Sequence, residues 1–377
     1  MPKHHHARCT RCSNLQTSCR TGWTNGVDVE LFQKELSLHK EEVRKWREME
    51  SHLHAKARHT HNLIVLSYDD TSALQLPHWT NRGLKNFPSV TIDYVPWNVL
   101  NHGSGENAYF YVFKDDVKKG GNRICTFLYV LLRRIKFSRD HCQKGARHLI
   151  LMGDNYTENK CNLLFAFCCL LIYLGWFDVV ELMYGPVGHT HNGNDSVHHC
   201  HNNMAANFDI VTLAEFIQKF DYAWNKLNAR PQAVFFEDSY DFESWMDDFM
   251  NHVGGFTATS YSELYVRAVK FEKGPSGKVE MHFKGSPTNA QWRGVGIPDE
   301  KYPDCDGLVV LDRVPPGTPT VIPHNALSKT PELTVKQLRH PKLVDRAKIS
   351  NLRGSLQWVI DAVTTGRLPT QGPSQYF

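Results

Sequence analysis

The stretch LILMGDNYTENK (149–160) decides the fold, because a short apolar strand ends there in Asp154. An apolar helix over 161–177 and a second strand, VVELMY (179–184), follow it. The segment GHTHNGND (188–195) then adds two histidines and another carboxylate. Because carboxylates and histidines follow both strands, we expect a metal site at their C-terminal ends.

A further apolar run upstream, NLIVLSY (62–68), predicts a strand that ends in Asp69 and Asp70. Neighbouring residues on a strand point to opposite faces, so only one of these two carboxylates can face a common site. Between this strand and the strand that ends in Asp154, the sequence predicts a hairpin with strands at 89–95 and 108–113 and a buried helix at 124–135. The order β-β-β-α-β-α-β predicts an α/β fold with a mixed sheet.

Composition limits the class of protein. The chain has 377 residues, of which 41% are hydrophobic and 11% aromatic, as in a globular protein of about two folding units. The formal charge of +4 permits a nucleic-acid partner without arguing strongly for one. No apolar run reaches the about 20 residues of a membrane span, and no secretory signal is evident, so we expect an intracellular protein. Ten cysteines, including the adjacent pair Cys168 and Cys169, predict reduced core thiols and a few metal ligands.

The N-terminal segment contains a possible zinc site. Cys9 and Cys12 have the C-x-x-C spacing that places two thiolates on one tetrahedral zinc ion, and Cys19 and His39 could complete the set. A C-x-x-C pair by itself is weak support, and a cysteine-containing tail is the alternative.

Residues 28–58 predict one long helix. Apolar and less polar residues recur at alternating spacings of three and four, and Lys, Arg and Glu occupy the other faces. The recurring positions are Phe32, Leu36, His39, Val43, Trp46, Glu50 and Leu53. This pattern favours either a homodimer through the 30–58 helix or an amphipathic helix that packs on its own domain.

Four motifs together resemble a known group of proteins. They are CTRC (9–12), DDTSALQLP (69–77), DNYTENK (154–160) and GHTHNGND (188–195), and the resemblance covers roughly residues 9–230. The arrangement resembles the ribonuclease H-like catalytic core of retroviral-type integrases and DDE/DDD transposases. More narrowly, it resembles transposon-derived proteins of poorly defined function. The resemblance implies an RNase H-like mixed sheet flanked by helices.

The resemblance also implies metal-dependent cleavage or transfer of DNA strands, with Asp69, Asp154 and Asp195 as the acidic triad. The chemistry agrees, since phosphodiester cleavage uses two divalent ions about 3.5–4 Å apart. Carboxylate oxygens are the ligands that Mg²⁺ and Mn²⁺ prefer. We therefore expect Mg²⁺ or Mn²⁺ at these three aspartates, DNA as partner and a nuclear location.

Other residues of the two motifs are candidates for supporting roles. His189 or His191 could orient the nucleophile or protonate the leaving group. Lys160 could contact a phosphate, and Asn155 and Asn159 are expected to contact substrate. First-turn surface positions are the alternative for Asn159 and Lys160.

Structural roles compete with these assignments. Asp154 and Asp195 could simply cap the helices that follow, because aspartate is preferred at that position. The histidines 198, 199 and 201 are expected on a solvated, basic helix face rather than among metal ligands.

Two other functions are possible. One is a catalytically silent, transposase-derived module that binds nucleic acid or protein. The other, more distant, is a metallophosphoesterase, which GDN (153–155) and GHTH (188–191) resemble. Such enzymes need D-x-H on the first strand and a histidine between the two motifs, and this chain has neither.

Three domains are expected: a zinc-ligand segment with the long helix (1–60), an RNase H-like core (61–230) and a C-terminal α+β extension (231–377). Predicted elements after residue 200 are helices at 210–229, 240–253 and 345–364, a hairpin of 263–273 with 278–284, and a linker at 314–323. Basic residues on the hairpin suit either phosphate contact or an ordinary strand edge.

Overall fold

A computed structural model gives the fold of the chain. The structure describes residues 9–25, 29–70, 73–78, 80, 92–113, 120–154, 157–186, 188–189, 193–225, 231–235, 238–240, 242, 267–274, 279–284, 320–322 and 335–337.

The described residues alternate between helices and strands. The helices are α1 (Thr10–Asn25), α2 (Val29–His59), α3 (Gly121–Phe137), α4 (Asn162–Tyr173), α5 (Gly193–Asn207) and α6 (Leu213–Asn225), with a 3-10 turn at Thr157–Lys160. The strands are β1 (Leu63–Asp70), β2 (Leu74–Leu76), β3 (Ile92–Asn101), β4 (Asn107–Phe113), β5 (His148–Gly153), β6 (Val179–Tyr184), β7 (Pro231–Phe235), β8 (Asp238–Tyr240), β9 (Ala268–Lys273), β10 (Val279–Lys284), β11 (Thr320–Ile322) and β12 (Val335–Gln337).

One mixed sheet holds most of the described strands. Its order is β11-β10-β9-β6-β5-β1-β3-β4-β7, with β2 paired to β3. Strands β1, β3 and β4 form an antiparallel meander, whereas β5 pairs parallel to β1 and β6 parallel to β5. Helix α3 precedes β5, and α4 connects β5 to β6. This order and these directions are those of an RNase H-like fold, as the sequence predicts.

Strands β1 and β5 lie at the centre of the sheet. Both read as nearly continuous apolar runs because helices cover both faces of the sheet here. Ile64, Val65 and Leu66 have no exposed side-chain surface. Burying a side chain of this size contributes about 1.5–3 kcal/mol, so these two strands fix the register of the fold.

The two faces of the sheet carry different helices. Ile64, Leu66 and Tyr68 of β1 pack in one cluster with α3 and α4. Leu63 and Val65 point to the other face, where they pack against α2. Because side chains alternate along a strand, Asp69 projects on the α2 face and Asp70 on the α3 face.

Helix α2 confirms the long helix predicted at 28–58. Every position of the predicted seam is buried or partly buried, and Trp46, Met49, Leu53 and Ala57 pack on residues of β1, β5, β6 and β9. Packing on the sheet of the same chain therefore explains why this side of α2 is apolar, and a homodimer is not needed to explain it. Leu31 and Leu38 are exposed, and dimerisation through α2 stays a prediction.

Helix α4 is apolar along most of its length because it lies inside the core. Residues 163–172 are all buried. Gly175 ends the helical segment at φ +69°, and its N–H donates to the carbonyl of Ile172 at 2.9 Å. In the described part of the chain, no helix combines the length and the apolar character needed to cross a membrane.

Strands from beyond residue 230 extend the sheet at both edges. β7 pairs parallel to β4, and β9 pairs antiparallel to β6 and to β10, which confirms the hairpin of 263–273 with 278–284. The linker predicted at 314–323 is wrong for Thr320–Ile322, which pairs with β10 as β11 because the exposed edge of β10 offers backbone partners. The predicted helix at 345–364 and most of that at 240–253 lie outside the described residues.

Candidate functional site

The strand register brings Asp69 and Asp154 to one edge of the sheet. Ser67 of β1 pairs with Met152 of β5 in parallel register, and each aspartate lies two residues further along. Ile150 and Met152 face α2, as do Leu63 and Val65. Side-chain alternation therefore directs Asp69 and Asp154 to the same face.

Asp70 has a different partner on the opposite face. Its carboxylate accepts a hydrogen bond from the Arg123 guanidinium, which is 1% exposed on α3. Of the two adjacent aspartates the resemblance names Asp69, and the pairing of Asp70 with Arg123 on the opposite face is compatible with that choice.

Asp195 reaches this region from α5. The helix begins at Gly193, so Asp195 lies in its first turn and is not the residue that precedes it. A carboxylate in the first turn is favoured by the helix dipole. Asp154 is not the N-cap of α4 either, because Cys161 holds that position. The simple capping alternatives thus explain neither aspartate.

The electrostatics of Asp69 depend on its acidic neighbours. Burial, and after it the charges of Asp154, Asp195 and Asp70, together raise the pKa of Asp69 to about 8. The carboxylates therefore interact through a poorly solvated region. Within the described residues, no three acidic side chains place their oxygens within 4.8 Å of one another. Asp69 therefore holds a proton near neutral pH until a cation compensates the site.

Asn159 and Lys160 have defined partners. The Asn159 side-chain amide donates to Asp154 Oδ1, and also to the Asp154 carbonyl at 3.4 Å. The Asn159 carbonyl accepts a hydrogen bond from the Tyr184 hydroxyl. Lys160 is 4% exposed, and its Nζ lies 5.2 Å from the centroid of the Tyr184 ring. The first-turn surface alternative is therefore wrong for both residues, because the turn folds back onto β6.

Helix α5 presents histidines to the sheet. His198 and His201 are 9% and 2% exposed, whereas His199 is exposed and contacts Asn203. His198 Nδ1 lies 3.7 Å from Asp69 Oδ2. Burial lowers the pKa of His198 to about 4, so its ring is neutral at pH 7. The expectation of a solvated face is wrong for His198 and His201, because α5 packs this face on β1 and β3.

Asn98 lies beside Asp69 on the neighbouring strand. The two residues are paired between β1 and β3, and Asn98 is fully buried. Its side-chain amide donates to Asn107 and to the Ala108 carbonyl, both on β4, so its Oδ1 is directed away from β4. Within the described residues, that oxygen accepts no hydrogen bond. A buried amide oxygen without a donor is a suitable neighbour for a cation or a protonated carboxyl.

A second cluster combines cysteines with histidines. Cys9, Cys12, His39 and His189 place their ligand atoms within 4.8 Å of one another, and these four residues could hold a metal ion. Cys9 Sγ is 3.3 Å from His39 Nε2, and Cys12 Sγ is 3.4 Å from His189 Nε2. The two Nε2 atoms are 3.2 Å apart. The predicted pair Cys9 and Cys12 therefore has two nearby histidines.

The cluster shows which of the two candidate ligands, Cys19 or His39, lies near Cys9 and Cys12. His39 is among the ligand atoms, and Cys19 is not. His189 is predicted on the sequence to assist catalysis, but it lies beside Cys12, so we reassign it to this cluster. The residue before it, Gly188, has a φ of +74°, and this backbone conformation sets the direction in which the chain continues to His189. His191 and Asn155 lie outside the described residues.

Comparison with known proteins identifies a family. Residues 97–289, just over half of the chain, match a family described as a domain of unknown function, DUF7869. This chain belongs to the DUF7869 family. The match includes Asp154, His189 and Asp195, and it begins after Asp69 and the two cysteines.

Other matches to this DUF7869 protein are distant. No curated protein matches it. A crystal structure of the MID-PIWI domains of N. crassa QDE-2 AGO is similar over 44% of each chain, with 13% identity and a TM-score of 0.20.

Sequence reasoning missed three features of this DUF7869 protein. His198 could have been found, since Asn194, Val197, His201 and Met204 share its helical face and indicate burial. Asn98 has no local signal, because an asparagine in a β-type run resembles any polar strand residue. The buried pair of Arg267 and Glu42 joins β9 to α2, which the sequence assigns to separate domains. Arg267 is therefore unavailable for the phosphate contact that the basic hairpin suggests.

Proposed function

We propose that this protein cleaves or transfers DNA strands with a pair of divalent ions held by Asp69, Asp154 and Asp195. The observation that carries the proposal is the group of three carboxylates from β1, β5 and α5, whose charges raise the pKa of Asp69. A group that is destabilised in this way favours cation binding. A transposon-derived origin agrees with the motifs and with the RNase H-like sheet.

The donor set suits Mg²⁺ or Mn²⁺. Three carboxylates and the amide oxygen of Asn98 are hard oxygen donors, and these ions prefer such ligands. When bound, a pair of such ions stabilises the attacking and leaving oxygens of a phosphodiester.

The protein residues have distinct tasks in this proposal. The charges of both Asp154 and Asp195 act on Asp69, so we assign Asp69 as the carboxylate that both ions would share. Asn159 holds the carboxylate of Asp154 in one orientation. His198 is neutral at pH 7 and adds no positive charge that would compete with a cation.

The test is Mg²⁺- or Mn²⁺-dependent nicking of supercoiled DNA by the full chain. Asp154→Asn removes a ligand charge, and we expect the rate to fall by about 10³-fold or more, because metal stabilisation is worth several kcal/mol. Asp140→Asn is the matched control, since Asp140 is exposed in the turn before β5. Its rate should equal that of the wild type.

Two results would contradict the proposal. Nicking that survives Asp154→Asn would show that the site is assigned wrongly. A wild-type chain that binds DNA but does not cleave it with either metal would favour the catalytically silent binding module.

A further inference from the structure

We propose that Cys9, Cys12, His39 and His189 bind one structural zinc ion, which fixes the segment before α5 and thereby positions Asp195. The zinc site stands on its own geometry. Only its effect on Asp195 rests on the proposed function.

The distances fit a tetrahedral zinc ion. Bonds of about 2.3 Å to sulfur and about 2.0–2.1 Å to nitrogen place a sulfur and a nitrogen ligand about 3.5 Å apart, and two nitrogens about 3.4 Å apart. The observed sulfur–nitrogen distances are 3.3 and 3.4 Å, and the nitrogen–nitrogen distance is 3.2 Å. The cluster therefore has the dimensions of a zinc coordination sphere.

The local structure presents the two thiols to one point. Cys9 directly precedes α1, and its carbonyl accepts the first helical hydrogen bond from Ser13 at 3.0 Å. Cys12 lies in the first turn and donates its N–H to Cys9 Sγ at 3.4 Å. A helix N-terminus stabilises thiolates, which are the form that binds zinc.

The ligand set is closed, which is typical of a structural site. Four protein ligands complete a tetrahedron and leave no position for a substrate. Cys9 and His39 are 5% and 4% exposed. The acidic site differs, since its ligands are oxygens and suit ions that keep some of their waters.

The surroundings hold two of the ligands in place. A Cβ atom at Gly188 would lie 2.7 Å from Cys9 Cα, so glycine is needed for the loop to approach α1. His39 Nδ1 lies 3.7 Å from a carboxylate oxygen of Glu42, and Glu42 is paired with Arg267. At this distance the charge of Glu42 favours a proton on Nδ1, which leaves Nε2 as the ring nitrogen that binds the metal.

The site connects parts of the chain that are distant in sequence. Cys9 directly precedes α1, Cys12 lies in α1, His39 in α2, and His189 in the loop between β6 and α5. His189 precedes Asp195 by only six residues. A fixed His189 therefore restricts where α5 can begin, and with it the carboxylate of Asp195.

The first experiment measures zinc in the purified full chain by mass spectrometry under reducing conditions. We expect about one zinc per chain, and absorption bands of a tetrahedral thiolate site after replacement by Co²⁺. Cys12→Ser and His189→Ala should each lose the metal. Cys19→Ser, the matched control, should retain it because Cys19 lies outside the cluster. A zinc-free wild type, or equal zinc in all variants, would overturn the site.

The second experiment measures Mn²⁺ affinity at the acidic site by electron paramagnetic resonance. His189→Ala should weaken Mn²⁺ binding by about tenfold, while Asp154→Asn should lose Mn²⁺ and keep zinc. Unchanged Mn²⁺ affinity in zinc-free His189→Ala would overturn the positioning role. A wild type that holds zinc but neither binds Mn²⁺ nor cleaves DNA would refute the proposed function and leave the zinc site standing.

Discussion

The three aspartates and the cysteine–histidine cluster share one segment, 188–195, which supplies Asp195 to the first and His189 to the second. The aspartates lie at the ends of β1 and β5 and in the first turn of α5, where nearby like charges raise the pKa of Asp69. The cluster lies between α1, α2 and the loop, and each thiol is close to an imidazole.

The two sites differ in how they affect the stability of the folded protein when no cation is bound. Burial of Asp69 and the charges of its acidic neighbours disfavour the ionised carboxylate, so the acidic site lowers stability and favours ion binding. In the proposed zinc site, bound metal would contribute directly to folding, because the unfolded chain has no preformed ligand set. Removing a ligand should therefore have opposite effects on stability at the two sites.

The largest of these effects is expected for Asp69→Asn in the absence of divalent ions. A pKa of about 8 in the folded protein, against about 3.9 in an unfolded chain, makes the wild type lose stability as pH rises from about 4 to about 8. Asn cannot ionise, so the variant should be more stable at pH 7, on the order of 2 kcal/mol. Thermal melting in buffer without added Mg²⁺ or Mn²⁺, and without a chelator that would also remove zinc, measures the difference.

The difference in melting temperature between Asp69→Asn and the wild type should grow across pH 4–8. Asp140→Asn should melt with the wild type throughout. A variant less stable than the wild type at pH 7 would mean that burial and the neighbouring charges do not disfavour the ionised form of Asp69. Cys12→Ser should be less stable than the wild type under the same conditions.

An intermediate effect is expected for Asn159→Ala, which leaves the three carboxylates in place but removes the hydrogen bond from Asn159 to Asp154. Loss of such a supporting hydrogen bond typically costs about 10–100-fold in metal affinity or activity. The measurement is Mn²⁺ affinity and nicking rate. Asn203→Ala, at an exposed position of α5, is the control. Equal affinities for both variants would show that Asn159 does not position Asp154.

The smallest effect is expected for His198→Ala. His198 Nδ1 is 3.7 Å from Asp69 Oδ2, beyond hydrogen-bond range, so we expect Mn²⁺ affinity to fall by only about threefold to tenfold. Zinc content should not change. His199→Ala should match the wild type, because His199 is exposed on the other side of α5. Equal Mn²⁺ affinities for His198→Ala and His199→Ala would show that the approach of His198 to Asp69 does not affect metal binding.

Much of the core could be predicted from the sequence because its elements have strong local patterns. The apolar runs of β1, β5 and β6 and the seam of α2 are found close to their predicted limits. Predictions weakened after residue 200, where β9 and β10 join the same sheet as the core. Local patterns contain no information on which sheet a hairpin extends.

The sequence by itself determined which residue types follow which strands, and thus that Asp69 and Asp154 end neighbouring strands. It did so because side-chain alternation and apolar runs are local properties. Only the tertiary structure showed that Asp70 pairs with Arg123, that His198 is buried, and that His189 joins Cys12. The last two outcomes depend on the packing of α1, α2 and α5 on one face of the sheet, which brings together residues up to 177 positions apart.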